Sequence, residues 1–121
     1  MRLNDAQQER YARHLLLDEL GGEGQERLLA ASVRVRGNGR ALRWAARYLA
    51  ASGVGTLLLE DEAAAVECRA LSPDVRLADP NGWHGDPDLD VDVDYEDASM
   101  QSPAERGAAA AMRAVRALSQ R

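Results

Sequence analysis

Lysine is missing from this chain of 121 residues, and all 15 of its basic side chains are arginine. That absence excludes Schiff-base catalysis, a P-loop lysine and lysine-linked conjugation. Cysteine is almost as scarce. Cys68 stands alone, so no internal disulfide forms and no cysteine cluster exists to hold zinc. No apolar run approaches the ~20 residues of a membrane span, and Met1 to Asp5 lacks the basic-then-apolar pattern of a secretory signal. A cytoplasmic protein with no membrane partner is the expectation. Acids outnumber bases by 20 to 15, for a net charge of −5, which argues against nonspecific binding to nucleic acid.

What is present suffices for one domain. With 45% apolar residues at this length, a core can form without disulfides or a structural metal. Residues 1–121 therefore read as a single domain, divided into a helical arm over 1–31 and an α/β core over 32–121. In the arm, Tyr11, Leu15, Leu16 and Leu20 recur at helical spacing from Asp5 up to Gly21-Gly22, and a second short helix is predicted from Gly24 to Ala31. Ser32 to Arg36 alternates like a strand and is closed by Gly37. Arg40 to Ala51 is an amphipathic helix, with Leu42, Ala45, Ala46 and Leu49 on one side and Arg40, Arg43 and Arg47 on the other.

Thr56 to Leu59 follows as a short buried strand, so strand, glycine turn, helix and strand succeed one another over the length of a βαβ unit. Ala63 to Leu71 is predicted as a helix and Val75 to Ala78 as a third strand. Asp79 to Asp88, broken by Pro80, Gly82, Gly85 and Pro87 and carrying Trp83 and His84, reads as a surface loop. Asp90 to Tyr95 alternates strictly, which puts Val91, Val93 and Tyr95 on one face and Asp90, Asp92 and Asp94 on the other. Unpaired carboxylates cannot be buried, so that face of the sheet is expected to be wet. Pro103 to Ser119 is a helix opened by its proline.

Three stretches carry a resemblance. Leu3-Asn4-Asp5, Arg10 to Leu17 and Gly24 to Leu28 form the first; Val33 to Gly39 with Tyr48-Leu49-Ala50-Ala51-Ser52-Gly53-Val54-Gly55-Thr56 form the second. Leu71 to Leu77 and Asp90 to Asp97 form a weaker third. Together they resemble the ThiF, MoeB and HesA family, the bacterial relatives of E1 ubiquitin-activating enzymes. The resemblance implies a small Rossmann-like α/β domain of about four mainly parallel strands in the order 3-2-1-4, with the helical arm before it and the long helix after it. It also implies adenylation, with ATP and Mg²⁺, of the C-terminal carboxylate of a ubiquitin-like carrier protein, and a dimer in which one subunit serves the other.

Residue by residue, the resemblance implies a phosphate loop at Gly37-Asn38-Gly39-Arg40-Ala41-Leu42, where the family has G-x-G-G-x-G. Gly37 and Gly39 survive, Arg40 is a candidate phosphate contact, and Leu42 stands where a third glycine is expected. Asp61 matches the acid that holds the ribose hydroxyls, although an ordinary acidic loop with Glu60 and Glu62 would read the same. Arg13 matches the arginine delivered across the dimer, yet it also fits the polar face of a helix beside Glu9. Asp97 matches the catalytic, Mg²⁺-coordinating aspartate, with Asp94 as a second candidate metal ligand.

The departure lies in Glu62 to Leu71, where the family's ATP-contacting arginine and lysine are absent. The family's zinc-binding CxxC pair and its carrier-binding half are not in this chain either. Cys68 is read as a packing residue, and His14 and His84 have no partner constellation. The expectation is a truncated, degenerate member: a noncatalytic module that forms a homodimer or a heterodimer with a full-length relative. The competing expectations are a minimal adenylyltransferase and a nucleotide sensor.

Overall fold

The computed structural model describes residues 22–37, 39–93 and 102–119. Chain order within them is α1 (22–30), β1 (Ser32–Arg36), α2 (Gly39–Ser52), β2 (Thr56–Leu58), α3 (Glu62–Leu71), β3 (Arg76–Ala78), a 3-10 turn (Pro80–Gly82), β4 (Leu89–Asp92) and α4 (Pro103–Ser119). The four strands form one sheet in the order β3-β2-β1-β4, and all three pairings are parallel. This is the small α/β, Rossmann-like sheet expected from the resemblance.

Element limits follow from local chemistry. Pro103 lacks an amide proton and occupies the start of α4, where that proton would have no partner, so the helix begins where the proline is. Asp61 caps α3, its Oδ1 accepting from the Ala64 amide at 3.0 Å, and this starts the helix at Glu62, one residue ahead of the sequence expectation. Gly22 is already helical, so α1 begins before the predicted Gly24. Of the strand predicted over Asp90 to Tyr95, Asp94 and Tyr95 lie outside the described residues, and within them the strand covers Leu89–Asp92, its ladder partner β1 ending at Arg36, which pairs with Asp92. Gly55 lets α1 dock against β2: its amide donates to the Leu28 carbonyl at 2.9 Å, and a Cβ there would lie 1.8 Å from the Leu29 carbonyl oxygen.

Register places Leu89, Val33, Leu57 and Leu77 in one row across the sheet, joined by Val35 and Val91 one pleat further on. These side chains and the buried faces of α2, α3 and α4 make one core, in which Val33, Leu49, Leu57, Ala64, Cys68 and Val115 are fully buried. Both βαβ crossovers step the same way along the sheet, so a right-handed path puts α2 and α3 on one face. Helix α4 packs beside α2 on that face.

The opposite face carries Ser32, Arg34 and Arg36 of β1 beside Asp90 and Asp92 of β4. The β3 to β4 connection has to step back across the sheet, and in place of a helix it uses residues 79–88 with a single 3-10 turn. Trp83 of this loop lies 5.9 Å from the Arg76 guanidinium, on the charged side. A thin loop where a helix would stand leaves charged strand residues within reach of water.

Candidate functional site

Open parallel sheets bind ligands beyond the carboxyl ends of their strands, because loops and helix N-termini converge there. In this chain a cleft of about 360 Å³ opens at that end, lined by Arg34, Arg36, Gly37, Leu42, Glu60 and Asn81 among others. Gly37 at φ 121° and Gly39 at φ 70° occupy the left-handed region, which a Cβ disfavours, so both glycines of the turn are used by the backbone. Asn38 between them lies outside the described residues.

The structure describes four of the expected site residues, Gly37, Gly39, Arg40 and Asp61. Gly37 lines the cleft, and Leu42, in the third glycine's place, is 6% exposed with its side chain packed in the core. Arg40 lies on another surface, lining a cavity with Arg43, Trp44, Arg47 and Glu67. Asp61 follows β2, which ends at Leu58, and its carboxylate caps α3. The acid lining the cleft is its neighbour Glu60. Arg13, Asp94 and Asp97 lie outside the described residues. Among the described residues no three His, Cys, Asp or Glu side chains come together as metal ligands.

Two cleft residues escaped the sequence reading. Among the described residues Arg34 and Arg36 are the cations lining the cleft, and both approach Asp90 on the neighbouring strand. Arg34 Nη2 donates to Asp90 Oδ2 at 3.0 Å, its Nε donates to Oδ1, and Arg36 Nε lies 3.5 Å from the same Oδ1. The hydrogen bond from Arg34 holds the Asp90 carboxyl below its ordinary range, helped by the charges of Arg34 and Arg36 and opposed by partial desolvation. The same hydrogen bond pushes the Arg34 guanidinium up, against desolvation. The signal was present in the sequence as two opposite alternations, Ser-Val-Arg-Val-Arg and Asp-Val-Asp, each placing its charges on one face.

No family model matches the chain. It is 48% identical over 60 residues to the SAMP-activating enzyme E1 of Haloferax volcanii, a match covering 50% of this chain and 22% of that protein. It is 45% identical over 60 residues to the sulfur carrier protein ThiS adenylyltransferase of Escherichia coli, covering 50% and 24%. Against the mouse adenylyltransferase and sulfurtransferase MOCS3 the identity is 58% over 52 residues, 43% of this chain and 11% of that one. The chain therefore spans under a quarter of the length of each of these relatives.

Proposed function

Half of this chain being homologous to the ThiF/MoeB-type, E1-like adenylyltransferases, we propose that it works as a noncatalytic relative of them, a dimerisation or protein-binding module built on the nucleotide-binding scaffold. The observation that carries this reading is the fate of the cleft's positive charge. Transfer at a polyphosphate is driven by cations aimed at the charge that develops on the phosphates. Here Arg34 and Arg36 are engaged with Asp90, Arg40 lines a different cavity, and Glu60 adds a negative charge to the cleft wall. Leu42 and the capping role of Asp61 support the same reading, since a core side chain stands in the third glycine's place and the candidate ribose acid caps α3.

The partner is a second copy of the chain, a full-length E1-like relative, or a ubiquitin-like carrier protein of the kind those relatives act on. Calorimetric titration with Mg·ATP, followed by pyrophosphate exchange with carrier proteins, tests the noncatalytic part. No Mg²⁺-dependent binding heat up to about 1 mM ATP is expected. Tight binding with exchange would establish the minimal adenylyltransferase instead, and binding without exchange the sensor. Light scattering tests the module: a mass above the 13.2 kDa protomer is expected. A monomer at about 50 µM that also fails to bind a full-length relative or a carrier would overturn it.

A further inference from the structure

Helix α2 carries Arg40, Arg43 and Arg47 at i, i+3 and i+7 and has no acid in its 14 residues, its first turn included. The positive end of its dipole therefore adds to the arginines. On this face a cavity of about 330 Å³ is walled, among the described residues, by the three arginines, Trp44 and Glu67 of α3, so one carboxylate there meets three guanidiniums. Glu67 is shared. Arg43 Nη2 donates to its Oε1, and Arg47 Nε lies 3.9 Å from its Oε2. Arg43 Nε is buried and donates to no partner among the described residues, and Arg40 makes no ion pair among them.

The walls are set before any ligand arrives. The Arg47 guanidinium lies 4.6 Å from the centroid of the Trp44 ring, and that ring stacks on Tyr48 at 5.8 Å. Trp44 in turn rests against Gly107 of α4, where an added Cβ would meet Trp44 Cβ at 2.5 Å. A cation fixed in this way loses little freedom on binding, so its attraction for an anion is not spent on ordering. We propose that this cavity binds a phosphate monoester: among the described residues its walls bring three arginines against one carboxylate, and the oxygens of a phosphate match the planar donor forks of arginine. The site is separate from the glycine-turn cleft and stands whether or not that cleft takes a nucleotide.

The test is calorimetric titration of the whole chain with inorganic phosphate at neutral pH, with chloride at matched ionic strength as the blank because screening alone alters exposed charges. Ribose 5-phosphate and O-phosphoserine, titrated in parallel, distinguish a sugar phosphate from a phosphorylated side chain as the source. Saturable phosphate binding is expected. Arg40→Gln, at an exposed helical position that keeps its helix propensity, should weaken it about tenfold or more, the scale of a lost charged hydrogen bond. Arg36→Gln, in the cleft, should leave it unchanged. Lack of saturation up to about 20 mM phosphate, undiminished binding by a folded Arg40→Gln variant, or loss of binding in Arg36→Gln would each overturn the proposal.

Discussion

Arg34 and Asp90 stand directly opposite each other across β1 and β4, 56 residues apart in sequence, and close a two-pronged ion pair on the sheet face opposite α2 and α3. The pair pulls the Asp90 carboxyl below its unfolded value. A depressed carboxylate contributes stability that is complete above the unfolded pKa, about 4, and is lost as pH falls through the folded pKa. Urea midpoints are therefore expected to hold steady from neutral pH down to about pH 5 and then fall. Asp90→Asn should flatten part of that fall, and added salt should mimic it weakly, because the Asp90 side chain is 47% exposed. An unchanged acid limb in Asp90→Asn would remove this pair from the account.

At Gly107, α4 lies hard against α2. A Cβ there would lie 2.5 Å from Trp44 Cβ, 2.7 Å from the Ala45 amide nitrogen and 2.9 Å from the Ala41 carbonyl oxygen. Gly107→Val is expected to push the helices apart at a cost of about 1–3 kcal/mol or more, read from urea unfolding. It should also loosen Trp44, seen as a shift in tryptophan emission.

Asp61→Ala removes the side-chain cap of α3 and is expected to lower stability by about 1 kcal/mol in denaturant unfolding. Asp61→Asn keeps an acceptor oxygen and should recover most of that loss. Were Asp61 instead held chiefly for a ribose, neither variant would shift the unfolding midpoint without nucleotide.

Leu42→Gly writes a third glycine back into the turn. Because Leu42 is nearly fully buried against the helical core, the change is expected to cost about 2–5 kcal/mol. No gain in ATP binding is expected, as the cleft's arginines remain engaged with Asp90. Recovered Mg·ATP binding in Leu42→Gly would show that the side chain, and not the missing charge, blocks the cleft.

How far the sequence discloses this molecule depends on the range of the interaction. Helix α4 runs from Pro103 to Ser119 in both readings because its start is a property of one proline. The strand faces were legible as well: period-two alternation sent Val33, Val35 and Val91 inward and the charges outward. What alternation cannot disclose is which strand lies beside which. The aspartates of β4 were readable as a wet face, but not as the partners of Arg34 and Arg36, since that depends on a pairing made 56 residues away. The order β3-β2-β1-β4 came from family resemblance and agrees with the structure.

The site was less legible for a related reason. Arg40 follows the glycine turn directly, and that adjacency suggested a phosphate contact. One residue into a helix of 3.6 residues per turn, however, a side chain's direction is set by the helix and not by the loop before it, and Arg40 joins Arg43 and Arg47 on the flank shared with α3. Glu67, which organises that flank, comes from a separate helix and gives no local sign of its partners. Asp61 was noticed for its place at the end of β2, while its role as the opening cap of the next helix, signalled by an aspartate just before Glu62-Ala63-Ala64, went unread.

The crossover from β3 to β4, a loop where its siblings are helices, gives the two sides of the sheet different masters. Cohesion on the helical side comes from hydrocarbon removed from water, and it rises and fades with temperature. Across the other side it comes from ions in reach of solvent, so it answers to buffer composition and hardly to heat. Because β1 and β4 carry both sets of side chains, acid or salt acting on the ionic side also weakens the strands on which the helical layer rests.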